Sequence, residues 1–198
     1  PAISPADVQQ AIQEFEPLLL ETIRQTGVPG VAVGVVYQDQ LFWSAGYGVR
    51  EVGKPDPVDV YTVFQLASVS KPIGSTLVAR LVGEGHVSWD DPVVRYKPDF
   101  ALSDPWVTQH VTIADLYAHR SGLPDHAGDD LEELGYDRAE ILSRLRFFRL
   151  GAFRSDYAYT NYGLTAAAEA ATDAIGMSWE DASQELLYRP LGMYSTTS

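Results

Sequence analysis

Phe64-Gln65-Leu66-Ala67-Ser68-Val69-Ser70-Lys71-Pro72 is the stretch around which the chain is organised. The apolar run Val63 to Leu66 predicts a strand-like approach. Beyond the stretch, Ile73, Leu77, Val78 and Leu81 recur with the period of a buried helix face. A serine at the mouth of a helix, with a lysine three residues on, puts both side chains on one side of the first turn. That arrangement suits a nucleophile and its base. A serine hydroxyl needs a partner to take its proton, and lysine serves if burial or neighbouring positive charge lowers its pKa. The helix N-terminus adds unpaired N–H groups and a positive dipole end, favourable to a developing oxyanion. The same tetrapeptide also reads as an ordinary helix start, because serine is a common N-cap.

Composition narrows the classes. The 198 residues are 45% hydrophobic and 21% charged, enough for one domain with a real core or for part of a larger one. A net charge of −13 argues against nucleic-acid binding, which needs clustered Lys and Arg. Only three lysines occur, Lys54, Lys71 and Lys97, and one of them lies in the central stretch. With no cysteine there is no disulfide, thiol nucleophile or thiolate metal site. No apolar run is long enough to span a bilayer. The chain opens at Pro1 rather than Met and no signal peptide is visible; a periplasmic or secreted location is expected in preference to a cytoplasmic one.

On the N-terminal side, Ser4-Pro5-Ala6-Asp7 predicts a helix start with a capping box and proline at the first helical position. Val8, Ile12, Phe15, Leu19 and Ile23 follow at helical spacing. Pro17 is expected to kink the helix or shift its pairing, and Gly27 to end it. Two β-rich runs, Val31 to Tyr37 and Leu41 to Ala45, joined by Gln38-Asp39-Gln40, predict a hairpin. Residues 46 to 60 read as loop. On the C-terminal side the helix after Ser68 should end at Gly83 and Gly85. Asp90-Asp91-Pro92 and Lys97-Pro98-Asp99 mark turns. Thr112-Ile113-Ala114-Asp115 is a second capping box, and its short helix should close near Ser121-Gly122. Residues 124 to 136 are acidic and read as irregular. Asp137 to Glu140 starts a third such helix, with Ile141, Leu142 and Leu145 inward. Ala158 to Asn161 is expected as a loop before an alanine-rich helix, Leu164 to Ala174. Ser178 should cap a last helix to Tyr188. Strands at the front and helices from Ser70 onward make an α+β fold, a small antiparallel sheet plus a helical region. Residues 1–66 hold the first helix and strands, and 67–198 the mainly helical part.

Tyr159-Thr160-Asn161 is the second chemical feature. A tyrosine at a turn serves either as a core anchor or as a phenol that shuttles a proton to a leaving group. The asparagine beside it suits turn chemistry, or binds a substrate amide through its carboxamide. Other chemistries are poorly supported. His110, His119, Asp125, His126 and Asp129 lack regular ligand spacing and there is no His-Glu-x-x-His, so neither a metal nor any other cofactor is expected. Gly-x-Ser-x-Gly and nucleotide-binding glycine motifs are absent.

Phe64 to Lys71, Trp89-Asp90-Asp91-Pro92-Val93, His119-Arg120-Ser121-Gly122-Leu123-Pro124, Tyr159-Thr160-Asn161-Tyr162-Gly163 and Pro190-Leu191-Gly192-Met193 occur in this order across nearly all of the chain. Together they resemble the serine β-lactamase and penicillin-binding-protein superfamily, in its branch of class C β-lactamases, D-alanyl-D-alanine carboxypeptidases and related esterases. The resemblance implies Ser68 as the acylated nucleophile and Lys71 with Tyr159 as the acid/base pair. It implies Asn161 and His126 as substrate-binding residues, and the Ser68 backbone N–H as half of an oxyanion hole. It makes His119-Arg120-Ser121-Gly122 a structural signature rather than the seat of a triad histidine. The implied activity is that of a serine hydrolase acting on an ester, amide or β-lactam carbonyl of a small-molecule substrate, without a cofactor. The alternative is a catalytically inactive relative used for binding or regulation. Ala158 to Asn161 and Phe153-Arg154-Ser155 look more like the esterase branch, which implies ester turnover above β-lactam turnover. The family's third motif, a Lys- or His-anchored Thr/Ser-Gly strand, does not occur in these 198 residues. A C-terminal segment or second chain is therefore expected to complete the fold, supplying that motif, the remaining strands and a closing helix.

Overall fold

In the computed structural model, which describes residues 2–198, the chain forms two compact units, one up to Gln65 and the other Leu66–Ser198. The first unit opens with helix α1, Pro5–Thr26. Its start is fixed locally. Ser4 Oγ accepts from Asp7 N–H (3.2 Å), and Asp7 Oδ2 accepts from Ser4 N–H (2.7 Å). The Gly27 N–H then closes on the Ile23 carbonyl at 3.0 Å. Helix α1 runs through Pro17 without a break. Pro17 lies on the exposed side, where water can take the carbonyl that its missing N–H leaves free. Of the predicted stripe only Ile12 is buried, and Phe15 is exposed.

Strands β1, Gly30–Tyr37, and β2, Gln40–Gly48, pair antiparallel from Gly30↔Gly48 to Tyr37↔Gln40. The turn is therefore Gln38-Asp39 alone. Both residues have positive φ (49° and 60°), the conformation that matches the twist of a two-residue hairpin. A register shift falls between Val35 and Val36. Strand β2 extends three residues beyond the expected Ala45. Among the described residues these are the only two strands of the sheet. Val36 (71% exposed) and Leu41 (67%) leave it partly bare.

The second unit is helical: α2 (Ser70–Gly83), α3 (Pro105–His110), α4 (Ile113–Tyr117), α5 (Asp129–Glu133), α6 (Arg138–Arg144), α7 (Asn161–Asp173) and α8 (Trp179–Ser183), the last continued by a π-helical turn, Gln184–Tyr188. Val78, Leu81, Val93, Ile113, Leu116, Ile141 and Leu145 are buried around the alanines of α7. Each such large side chain contributes roughly 1.5–3 kcal/mol by leaving water. Small residues bring backbones together: α7, which packs on α4, buries Ala166, Ala167, Ala170 and Ala171 in the core, and Gly74 of α2 meets the Trp179 ring of α8.

Several expectations need correction. Val63 to Leu66 forms no strand; the run has no pairing partner and its side chains are exposed. Residues 124 to 136 are not irregular throughout, because α5 lies within them. Helix α3 was not foreseen, although Asp104 caps it, accepting from Trp106 N–H (2.7 Å) and Val107 N–H (3.1 Å). Helix α4 stops at Tyr117, and α7 begins three residues before Leu164.

Candidate active site

Ser68 sits in a 3₁₀ turn, Ala67–Val69, that leads directly into α2. Ala67, just before it, adopts φ 46°, a left-handed conformation that L-residues avoid and that is often found where a fold holds strain at a functional group. The turn exposes the serine, while Lys71, in the first turn of α2, is half-buried. Lys71 Nζ donates to Ser68 Oγ at 3.1 Å, as the three-residue spacing requires. Helix α2 is held by the fully buried Leu77, Val78 and Leu81.

Tyr159 reaches the pair from the loop before α7. Its hydroxyl lies 2.6 Å from Ser68 Oγ and also accepts from Lys71 Nζ. Those two contacts, Lys71 first, hold the phenol's pKa below the ordinary tyrosine value. The loop is stitched to the segment after α4. Ala158 N–H donates to the His119 carbonyl (2.8 Å), and Thr160 N–H to His119 Nδ1 (3.2 Å). Accepting that bond requires an unprotonated Nδ1. Burial, with the Lys71 charge nearby, lowers the His119 pKa and favours the neutral ring. Beneath lies the fully buried Asp115 carboxylate, which accepts from Thr112 N–H (3.1 Å), Arg120 Nε (2.8 Å) and Arg154 Nη2 (2.7 Å). Burial pushes its pKa up, but the Arg154 and Thr112 hydrogen bonds outweigh that, and it stays below the usual carboxylate range.

Asn161, the first residue of α7, accepts from Lys71 Nζ at its Oδ1 (2.7 Å) and donates from Nδ2 to Asp129 Oδ2 (3.0 Å). The same oxygen lies 2.7 Å from His126 Nδ1. That hydrogen bond is the main reason the His126 pKa is raised. His126 is exposed, its ring 5.4 Å from that of Tyr159, and its backbone N–H donates to the Tyr159 carbonyl at 2.7 Å. A cleft of about 250 Å³ opens beside Lys71 and Asn161, walled by Gly74, Arg138, Thr165 and Trp179.

All five sequence-derived site residues thus converge: Ser68, Lys71 and Tyr159 in mutual contact, Asn161 joined to them through Lys71, and His126 beside them. Asp129 entered the sequence reading only as a metal-ligand candidate, and no local motif marks it. The candidate metal set does not assemble: His110 stacks on Trp106 at 4.1 Å, and no group of three or more His, Cys, Asp or Glu placed to hold a metal ion occurs among the described residues.

The chain is similar to known proteins. The chain is 30% identical over 193 residues to the Unguisins hydrolase ungD' of Aspergillus campestris, covering 93% of this chain and 36% of that protein. It is 27% identical over 179 residues to a Beta-lactamase of Escherichia coli K12, covering 88% and 45%. The crystal structure of a class C beta lactamase superposes with a TM-score of 0.79 at 23% identity, over 96% of this chain and 51% of that one. The fold is thus β-lactamase/transpeptidase-like, and the chain spans less than half the length of the two curated relatives. A Beta-lactamase family model matches residues 8–198, which leaves almost none of the sequence outside it: the chain belongs to the beta-lactamase family.

Proposed function

We propose that this chain carries the nucleophile half of a serine hydrolase that works through an acyl-enzyme on an ester, amide or β-lactam carbonyl. The observation that carries this is the closed triangle of Ser68 Oγ, Lys71 Nζ and Tyr159 Oη. The Ser68 hydroxyl attacks the carbonyl carbon, and its proton passes to the Tyr159 phenolate, which the Lys71 ammonium favours. The tetrahedral intermediate collapses as Tyr159 returns that proton to the leaving oxygen or nitrogen. Water then attacks the acyl-serine as one of its protons passes to Tyr159, and the bond to Ser68 Oγ breaks as Tyr159 returns that proton to Oγ, leaving carboxylic acid and free Ser68. Asn161 keeps one Nδ2 hydrogen for the substrate, with His126 at the rim.

The hydrolase names of the relatives support the reaction class. The esterase-like sequence around Tyr159 supports faster turnover of short p-nitrophenyl esters than of cephalosporins. We further propose that a segment outside residues 1–198 completes the sheet and brings the family's third motif; the two-stranded sheet supports this. Labelling the full-length protein with a fluorophosphonate or penicillin probe and mapping the adduct by mass spectrometry tests the assignment. A single adduct on Ser68 is expected. An adduct elsewhere, or none with either probe, overturns it and favours the inactive, ligand-binding alternative.

A further inference from the structure

Asp129 has no part in the proton transfers above, yet it occupies a junction. Its Oδ2 accepts from Asn161 Nδ2 (3.0 Å) and contacts His126 Nδ1 (2.7 Å), and both partners lie next to the Lys71–Tyr159 pair. Its other oxygen, Oδ1, is buried with no hydrogen-bond partner. A buried acceptor without a partner lowers stability. The backbone is arranged to bring the carboxylate to this place. Gly128, just before it, has φ 101°, and a Cβ there would lie 2.9 Å from the Tyr162 ring of α7 and 2.8 Å from Ile141 of α6. Only glycine lets the start of α5 approach the start of α7 so closely.

We infer that Asp129 is a positioning residue for acylation of Ser68, fixing the polarity of the Asn161 carboxamide so that its oxygen faces Lys71. The inference rests on the acyl-serine assignment. A carboxamide has a donor end and an acceptor end, and rotating it by half a turn exchanges them. A carboxylate only accepts, so it selects the NH₂ end of Asn161. An ammonium only donates, so it needs the oxygen end. Asn161, held between the two, has one orientation that satisfies both. Without Asp129 the rotated amide becomes accessible and sets NH₂ against the Lys71 ammonium. Lys71 then loses one of its anchors, and its alignment on Ser68 and Tyr159 loosens. An asparagine at 129 cannot keep the selection, because its own amide can present either end.

The test is the second-order rate at which a fluorophosphonate labels Ser68 in the full-length protein, for the parent and for Asp129→Asn, each also carrying Asn161→Ala or His126→Ala. Asp129→Asn should slow labelling about tenfold or more in the parent, the scale of a misaligned reacting group. It should add less than about twofold once Asn161 is alanine, since nothing remains to orient, and keep its full effect beside His126→Ala. The near-isosteric Asn variant should melt within a few degrees of the parent; if it does not fold, Asp129→Ser replaces it in the same cycle. A loss below about threefold, or one undiminished beside Asn161→Ala, overturns the inference while leaving labelled Ser68 in place. If the parent itself is not labelled at Ser68, the acyl-serine assignment falls, and this inference with it.

Discussion

Tyr159 lies within hydrogen-bond reach of both a lysine and a serine, so its phenol ionises more readily than an isolated one. Lys71 is the larger cause, which fixes the sign of a pH experiment. Removing the ammonium raises the Tyr159 pKa and leaves less phenolate at any given pH. Lys71→Ala should therefore lower ester turnover at neutral pH by at least about a hundredfold, and move the ascending limb of the kcat/KM profile to higher pH. Tyr159→Phe should cause a comparable loss and abolish that limb. A Lys71→Ala profile unmoved along the pH axis would refute the coupling between the two groups. The Ser68–Lys71 contact was legible in its three-residue spacing, whereas Tyr159 and Asn161 were singled out by their loop run together with the family resemblance. Asp129 was not legible. Its contact with Asn161 spans 32 positions of sequence and depends on a glycine conformation, which local pattern does not encode.

At the scale of elements, starts were clearer than extents. The boxes Ser4–Asp7, Thr112–Asp115 and Asp137–Glu140 all form as read, because a cap is a three-residue contact that needs no distant partner. Helices α3 and α5 were lost because six and five residues give too little periodicity to show. Val63 to Leu66 misled in the opposite sense: an apolar β-rich run becomes a strand only where an edge accepts it. The seating of α5 is measurable. Gly128→Ala should lose the left-handed backbone allowance, about 1–2 kcal/mol, and also force the contacts with Tyr162 and Ile141. Gly135 has φ 88°, and a methyl group added there would meet no atom within 4 Å, so it isolates the first effect. In urea titrations at unchanged m, Gly128→Ala should therefore shift the midpoint further than Gly135→Ala; equal shifts would show that the close approach does not matter.

Across the molecule, the α+β class and the helical second unit followed from the pattern, while the state of the sheet did not. Periodicity predicts a hairpin but says nothing of how many strands flank it. With Val36 and Leu41 exposed, the hairpin is of the kind that associates through its edges. Residues 1–198 expressed alone should therefore form oligomers, or melt without a sharp transition, and label poorly at Ser68. A cooperative monomer with full serine reactivity would show that no complementing segment is needed. The alanine face of α7 bears on how the sequence can change over generations. Ala166, Ala167, Ala170 and Ala171 are buried in the core, where glycine would weaken the helix that begins at Asn161 and anything larger would overpack the interior. Neutral drift is thereby barred from one side of this helix and channelled to the other, where Thr165 and Glu169 wall the cleft beside Lys71.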